Sequence, residues 1–277
     1  MANEIQKTSN TNKMTFSAFM TSNAISNKVN QIIGDERTGK RFIASIISAV
    51  SNNPQLKECD NSSILSGALL GESLGLSPSP QLGNYYLVPF KDKNKGMVAS
   101  FQIGYKGYIQ LAIRSGQYKK LNVLAIKEGE LIKYDPLEEE LEVKLIENET
   151  EREKAKTIGY YAMFEYVNGF KKTMYWSKEK MEAHALKYSM GYRAKKGYTF
   201  WEKDFDGMAY KTMLRQLISK WGIMSIEMQN AYEGDMAYIK DDGTKEYVDN
   251  KEEEVSFEDT TVVEATDVEI KSLDDVE

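Results

Sequence analysis

The apolar residues of this chain first change their period near residue 78, and that change limits the fold more than any other feature. Before it, "FSAFMTSNAISNKVNQII" (16–33), "RFIASIISAVSNNP" (41–54) and "SSILSGALLGESLGLSP" (62–78) place them three and four apart, which predicts helices. After it, "NYYLVPF" (84–90) and "GMVASFQI" (96–103) are short β-rich runs about the turn-like "KDKNKG", which predicts a hairpin. A helix from about Gly104 to Gly116 follows. Strands come next at "KLNVLAIKEG", "LEVKLI", "TIGYYAMFEYV" and "FKKTMYW", the last two joined by Asn168-Gly169, a strong hairpin signal. Two further helices are expected over 177–189 and from about Asp204 to Lys220. Helices, then strands with one helix, then helices again, place the chain in the α+β class with a small, mostly antiparallel sheet. Residues 1–14 are polar and expected to be disordered, 15–233 form the core, and 234–277 form an acidic, largely disordered tail.

The net charge of −6 conceals an uneven distribution. Residues 231–277 hold 4 Lys+Arg against 17 Asp+Glu, whereas residues 1–230 hold 32 against 25. A basic body with an acidic end points to a polyanionic partner, or to a tail that competes with one. The single cysteine, Cys59, excludes an internal disulfide and fits a reducing cytoplasm. No apolar run approaches the ~20 residues of a membrane helix, and the first residues lack the apolar core of a signal peptide.

Several catalytic classes find little support. "GDERTGKR" (34–41) nearly spells a phosphate-binding loop, but Arg41 stands where Ser or Thr should reach magnesium, and a helix rather than a strand precedes it. It reads as a chance match between two helices. His184 is the only histidine, so a zinc site of the usual His/Cys count cannot be assembled, and Cys59 has acidic neighbours that disfavour a thiolate. The carboxylate runs Glu138–Glu142 and Glu252–Glu254 read as solvated loops.

The basic, aromatic-interleaved segments carry more. Residues 171–220 contain twelve Lys+Arg, five Asp+Glu and nine Tyr/Trp/Phe. Within them "GYRAKKGYTFW" (191–201) mixes Arg193, Lys195 and Lys196 with Tyr192, Tyr198, Phe200 and Trp201. Single-stranded nucleic acid is held by cations along its phosphates and flat side chains against its bases. On the last long helix, Tyr210, Met213, Leu214, Leu217 and Trp221 share the face expected to be buried. Lys211 and Arg215 lie four apart with no acid beside them on the helix, flanked by Thr212 and Gln216, so they could clamp a phosphate backbone as readily as form a solvated face. In "FQIGYKGYIQLAIRSGQYKK" (101–120), Tyr105, Tyr108, Ile109 and Ala112 make an apolar stripe. Lys106, Gln110 and Arg114 make a second, with Lys119 and Lys120 just beyond. Gly104 and Gly107 leave room for a backbone near a helix N-terminus, where an anion is favoured.

The segments 75–90 and 101–116, together with the pattern of Trp201, Lys211, Thr212, Arg215 and Leu217, resemble the RecT family of phage single-strand annealing recombinases, distantly similar to Red beta. The resemblance runs from about Ser62 to Gln229. It implies ATP-independent annealing of complementary single strands by an oligomeric ring or filament that binds single-stranded DNA and the annealed duplex. It implies no required cofactor, magnesium serving only as a counterion to DNA, and a phage exonuclease and host single-strand binding protein as partners. On the residues alone, Lys106, Arg114, Lys119, Lys120, Tyr192, Arg193, Lys195, Lys196, Trp201, Lys211, Thr212 and Arg215 are the expected DNA contacts. Two alternatives stay open at this point: a metal-dependent DNA-processing enzyme using carboxylates, and a phage structural assembly protein.

Overall fold

The computed structural model describes residues 14–247 other than 93, 198 and 241. The chain opens with α1 (Phe16–Thr21) and α2 (Asn23–Ile33), where the sequence predicts one helix. Ser22 divides them: its backbone is extended, and its hydroxyl donates to the carbonyl of Phe19 at 2.7 Å, ending the first helix. Gly34 then stops α2 in the left-handed conformation that a Cβ would strain, and Asp35 caps α3 (Glu36–Ser51) by accepting from the Thr38 amide at 2.7 Å. The near phosphate loop is therefore a helix stop followed by a helix start. Gly39 lies inside α3 against Asn30, and Lys40 pairs with Glu36 at 2.6 Å. Asp60 caps α4 (Asn61–Ser73) in the same way, through the Ser63 amide at 2.9 Å. Met20, Val29, Ile46, Ile64 and Ala68 bury one face of each of these helices in a first core.

β1 (Tyr85–Asp92) and β2 (Gly96–Ile103) form the expected hairpin, pairing from Tyr85↔Ile103 to Asp92↔Gly96. Period-two alternation turns Tyr85 and Leu87 towards α4 and Tyr86 away from it. α5 (Tyr105–Ser115) follows, and then β3 (Tyr118–Lys127), β4 (Leu131–Asp135), β5 (Glu140–Val143) and α6 (Glu149–Lys154). Arg152 on α6 grips the fully buried Glu130 carboxylate at 2.6 and 3.1 Å and donates to the Ala125 carbonyl. Burial acts to raise the Glu130 pKa, but Arg152 and the Lys127 and Ile146 amides outweigh it and hold it below its ordinary value. β6 (Thr157–Tyr166) pairs with both β3 and β7 (Lys171–Ser177), the latter through the Asn168-Gly169 turn.

Next come α7 (Lys178–Tyr188), the short α8 (Met190–Arg193) and α9 (Phe200–Lys203), the long α10 (Phe205–Trp221), and α11 (Ile226–Gly234). α10 packs on β6 with one face, burying Met213 and Leu217 beside Tyr160 and Phe164, and on α5 with another, burying Leu214 and Ile218 beside Tyr108 and Leu111. All strand pairs are antiparallel, and the class is α+β as expected.

The core does not stop at residue 233. Asp235 is 1 % exposed, and β8 (Ala237–Ile239) pairs with β2 through Phe101↔Ala237 and with β9 (Lys245–Tyr247). The four-stranded sheet runs β1-β2-β8-β9. A three-residue strand has too short an alternation to be read from sequence. The expected disorder of 1–13 and 248–277 lies outside the described residues. No helix among the described residues is long and apolar enough to cross a membrane.

Candidate nucleic-acid interface

The structure divides the expected DNA contacts into two groups. Lys211 is 6 % exposed, and its ammonium lies 2.7 Å from one oxygen of Asp235, while Arg215 lies 2.7 Å from the other. The first oxygen also accepts from the Ile103 amide at 3.1 Å. One buried carboxylate thus ties α10 to the end of β2 and to the approach to β8. Thr212 is buried and its hydroxyl donates to the Met208 carbonyl at 2.9 Å within the helix. The clamp expected from Lys211, Thr212 and Arg215 is turned inward, because its acid partner comes from a segment that the sequence assigned to the tail. Trp201, 7 % exposed, is core, set edge-on to Phe205 at 5.0 Å.

Three other expected cations also have partners. Arg114 donates to the Leu74 carbonyl at 2.5 Å and to the Gly75 carbonyl at 3.4 Å, satisfying the C-terminal end of α4. Lys119 and Lys120 share Glu165, at 2.6 and 3.5 Å. Arg114 lies eight residues beyond Lys106 on α5, about 12 Å along the helix, and Lys119 and Lys120 follow in β3. Gly104 and Gly107 do permit a close backbone approach, but of the chain to itself. A Cβ at either position would overlap the carbonyl oxygen of Gly83 or Asn84.

Of the remaining expected cations, Lys106 borders a seam of rings where β1, α5, α10 and β6 meet, and Arg193, Lys195 and Lys196 lie in the loop that leads into it at Phe200. Phe200 lies 5.4 Å from Tyr86, Tyr105 lies 5.6 Å from Tyr210, and Tyr210 lies 6.1 Å from Tyr160. Tyr86 and Lys106 border the same small space at Gly83. At the far side the Lys178 ammonium stands 3.3 Å from the centre of the Phe205 ring and donates to the Tyr160 hydroxyl at 2.9 Å. That hydroxyl donates in turn to Asp206 at 2.6 Å. Desolvation lowers the Lys178 pKa, opposed by Asp206, while burial and Asp206 raise that of Tyr160. Tyr86 is raised by burial and then by Asp204.

Beside the seam, Tyr192 is half-buried against Trp201 and Phe205, at 6.2 and 6.1 Å, and anchors the basic loop. Arg193, Lys195 and Lys196 are exposed, with Lys195 at a left-handed φ of 49° that turns the chain. Two of the nearby acids are engaged by backbone donors. Glu202 accepts from the Gly197 and Thr199 amides at 2.8 and 3.0 Å, and Asp204 accepts from the Gly207 amide at 2.9 Å. Contacts thus link Lys106 through Tyr86 to Phe200 and set Lys178 at Tyr160 and Phe205, while Tyr192 anchors the loop whose exposed Arg193, Lys195 and Lys196 lead into Phe200, with exposed Lys203 just after it. The alternation in "NYYLVPF" was the available signal for Tyr86. Nothing in the sequence marked Lys178.

His184 packs among Trp176, Tyr188 and Trp201, at 5.6, 4.5 and 6.5 Å between ring centres, and burial with Arg215 and Lys187 nearby lowers its pKa to about 4. The run Glu138–Glu142 forms the β4–β5 turn and the start of β5, where Glu139 pairs with Lys172. Glu252–Glu254 lie outside the described residues. Among the described residues no group of three or more His, Cys, Asp or Glu is placed to hold a metal.

The family model described as "RecT family" matches residues 40–256. The chain is 40% identical over 244 residues to "Uncharacterized protein YqaK" of Bacillus subtilis (strain 168), covering 88% of this chain and 78% of that one. It is 34% identical over 199 residues to "Protein RecT" of Escherichia coli (strain K12), covering 70% of each. The matched span takes in the whole seam, the basic loop and Asp235 with the two cations it holds. The chain belongs to the RecT family of phage single-strand annealing recombinases.

Proposed function

We propose that this protein anneals complementary DNA strands without nucleotide hydrolysis, holding one strand along the aromatic seam and its basic loop. The observation that carries the reading is the Tyr86–Phe200 contact, which sets Lys106 on one side of the rings and the exposed cations Arg193, Lys195, Lys196 and Lys203 in the chain on either side of Phe200, with Glu202 and Asp204 engaged by backbone amides. Pairing of strands is itself downhill. The barrier is repulsion between two phosphate chains and the search for register, and a basic surface lowers the first by releasing counterions. Half-buried Tyr86 and Phe200 offer flat surfaces to bases without reading their sequence. Lys211, Thr212 and Arg215 serve this surface indirectly by fixing α10, while Arg114, Lys119 and Lys120 form a second basic point towards and beyond the C-terminal end of α5.

On this reading no cofactor enters the reaction, and magnesium acts only as a counterion on DNA. The working form is a homo-oligomer in the cytoplasm, handling both the single strand and the annealed duplex. A phage exonuclease and a host single-strand binding protein are its partners. The test is a fluorescence annealing assay with complementary oligonucleotides, without ATP, over a salt series. Annealing that persists without nucleotide and weakens steeply with salt is expected. A requirement for ATP, or magnesium-dependent loss of intact strands, would overturn the reading.

A further inference from the structure

Two apolar surfaces lie outside the DNA-binding reading and need not share its fate. The first is at the end of the three-stranded sheet. Val167 and Phe170 from the β6–β7 turn, and Trp221, Ile223 and Ile226 from the α10–α11 link, are all exposed, Ile226 by 74 %. Neighbouring groups hold Phe170, Ile223 and Trp221 in place, with Val167 and Ile226 three positions from Phe170 and Ile223 along the chain. The Ile223 amide donates to the Tyr166 hydroxyl, Tyr166 stacks on Phe170 at 6.0 Å, and the Lys172 ammonium lies 3.7 Å from the centre of the Trp221 ring. Within the link Met224 packs inward, and Ser225 caps α11 through the Met228 amide at 3.2 Å, which holds the neighbouring isoleucines outward. A contiguous apolar group of this kind marks an interaction surface more often than a lone exposed leucine does.

The second surface is a shallow groove between α2, α4 and the β8–β9 turn, lined by Phe19, Ile25, Ile32, Leu65 and Leu69 together with Lys28. Ile25, Lys28 and Ile32 recur at i, i+3 and i+7 along the margin of the buried face of α2, where Ile25 also packs against the core that holds Val29. Ile32 is 56 % exposed. The charges of the two surfaces match: exposed Glu227 follows Ile226 on the knob, and exposed Lys28 stands between the two isoleucines of the groove.

We propose that the α10–α11 link of one copy of this chain seats in the α2–α4 groove of the next, with Glu227 meeting Lys28. The two surfaces differ, so the contact is head-to-tail and each copy keeps one of each to offer. Repetition gives a ring where the rotation closes and an open helix where it does not.

The experiment uses Ile226→Asp, which spoils the knob, and Ile32→Asp, which spoils the groove, in sedimentation velocity of the full chain without DNA. A charge forced into an apolar contact should move assembly to at least about tenfold higher concentration in each variant. An equimolar mixture of the two should form a discrete heterodimer, since one retains the groove and the other the knob. Ile32→Asp assembling like the unaltered chain, or a mixture of folded variants staying monomeric, overturns the proposal. Should either variant lose its circular dichroism melt, Glu227→Lys and Lys28→Glu replace them. Each should weaken assembly and the pair together restore it, and simple additivity overturns the pairing. Oligonucleotide anisotropy on the dispersed variants, unchanged within about twofold, separates this outcome from failure of the annealing surface.

Discussion

The cations of α10 and those of the 190–199 loop look alike in sequence and have opposite environments. Lys211 and Arg215 are four apart on a helix without an acid beside them, and the structure closes both on Asp235. Arg193, Lys195 and Lys196 sit close to Glu202, yet that acid is taken up by the amides at the start of α9 and the cations stay exposed. The absence of a nearby acid along the chain therefore misplaces the α10 pair, while the presence of Glu202 does not cover the loop cations. What matters is whether a carboxylate's oxygens are already engaged, and by what.

The most severe way to break this comparison is Asp235→Ala. It leaves two cations without the carboxylate that holds them in a largely buried site, and should cost about 3–5 kcal/mol of stability by urea denaturation. A loss below about 1 kcal/mol would mean that water reaches the Lys211 site and that the two regions are alike. The complementary change is the triple variant Arg193→Ala/Lys195→Ala/Lys196→Ala. It should leave the melting temperature within a few degrees and reduce the slope of log affinity against log salt for a single strand by about 2. An unchanged slope would remove the loop from the interface.

A smaller effect tests the buried side through His184, whose depressed pKa owes part of its shift to Arg215. Between pH 6.5 and about 4 the unfolded chain takes up a proton that the folded His184 refuses. Its contribution is therefore full above pH 6.5 and lost as pH falls, about 2 kcal/mol of it by pH 5. His184→Gln should flatten that part of the stability curve between pH 7 and 5, and an unaltered curve would place the ring in solvent. The smallest change expected is Arg114→Ala, about 1 kcal/mol from the uncapped end of α4, with single-strand affinity nearly unchanged. A large loss of affinity instead would return Arg114 to the DNA surface.

Much of the fold could be read in advance, for local reasons. The Asn168-Gly169 turn, the helix starting at the Ser177 cap and the β1–β2 hairpin are decided by neighbouring residues, and each stands where it was expected. Ser22 splitting the first helix, β4, α6 and the two strands after Gly234 escaped because each is short or depends on contacts distant in sequence. The site divides in the same way. Lys106 and the basic loop were legible as charge beside aromatics and glycines, whereas Lys178 reaches the seam only because β7 delivers the start of α7 beside Tyr160.

The sequence by itself determined the α+β class, the antiparallel hairpins, the basic body and the helix boundary hidden in "GDERTGKR", since periodicity, caps and turns act over a few residues. The tertiary structure alone decided which cations face outward. A carboxylate can neutralise a lysine from 24 positions away, as Asp235 does Lys211, and no local pattern records it. It also decided the purpose of Gly104 and Gly107. The backbone that their missing side chains admit belongs to the neighbouring loop, because a carbonyl oxygen of the chain already fills the space where a phosphate was expected.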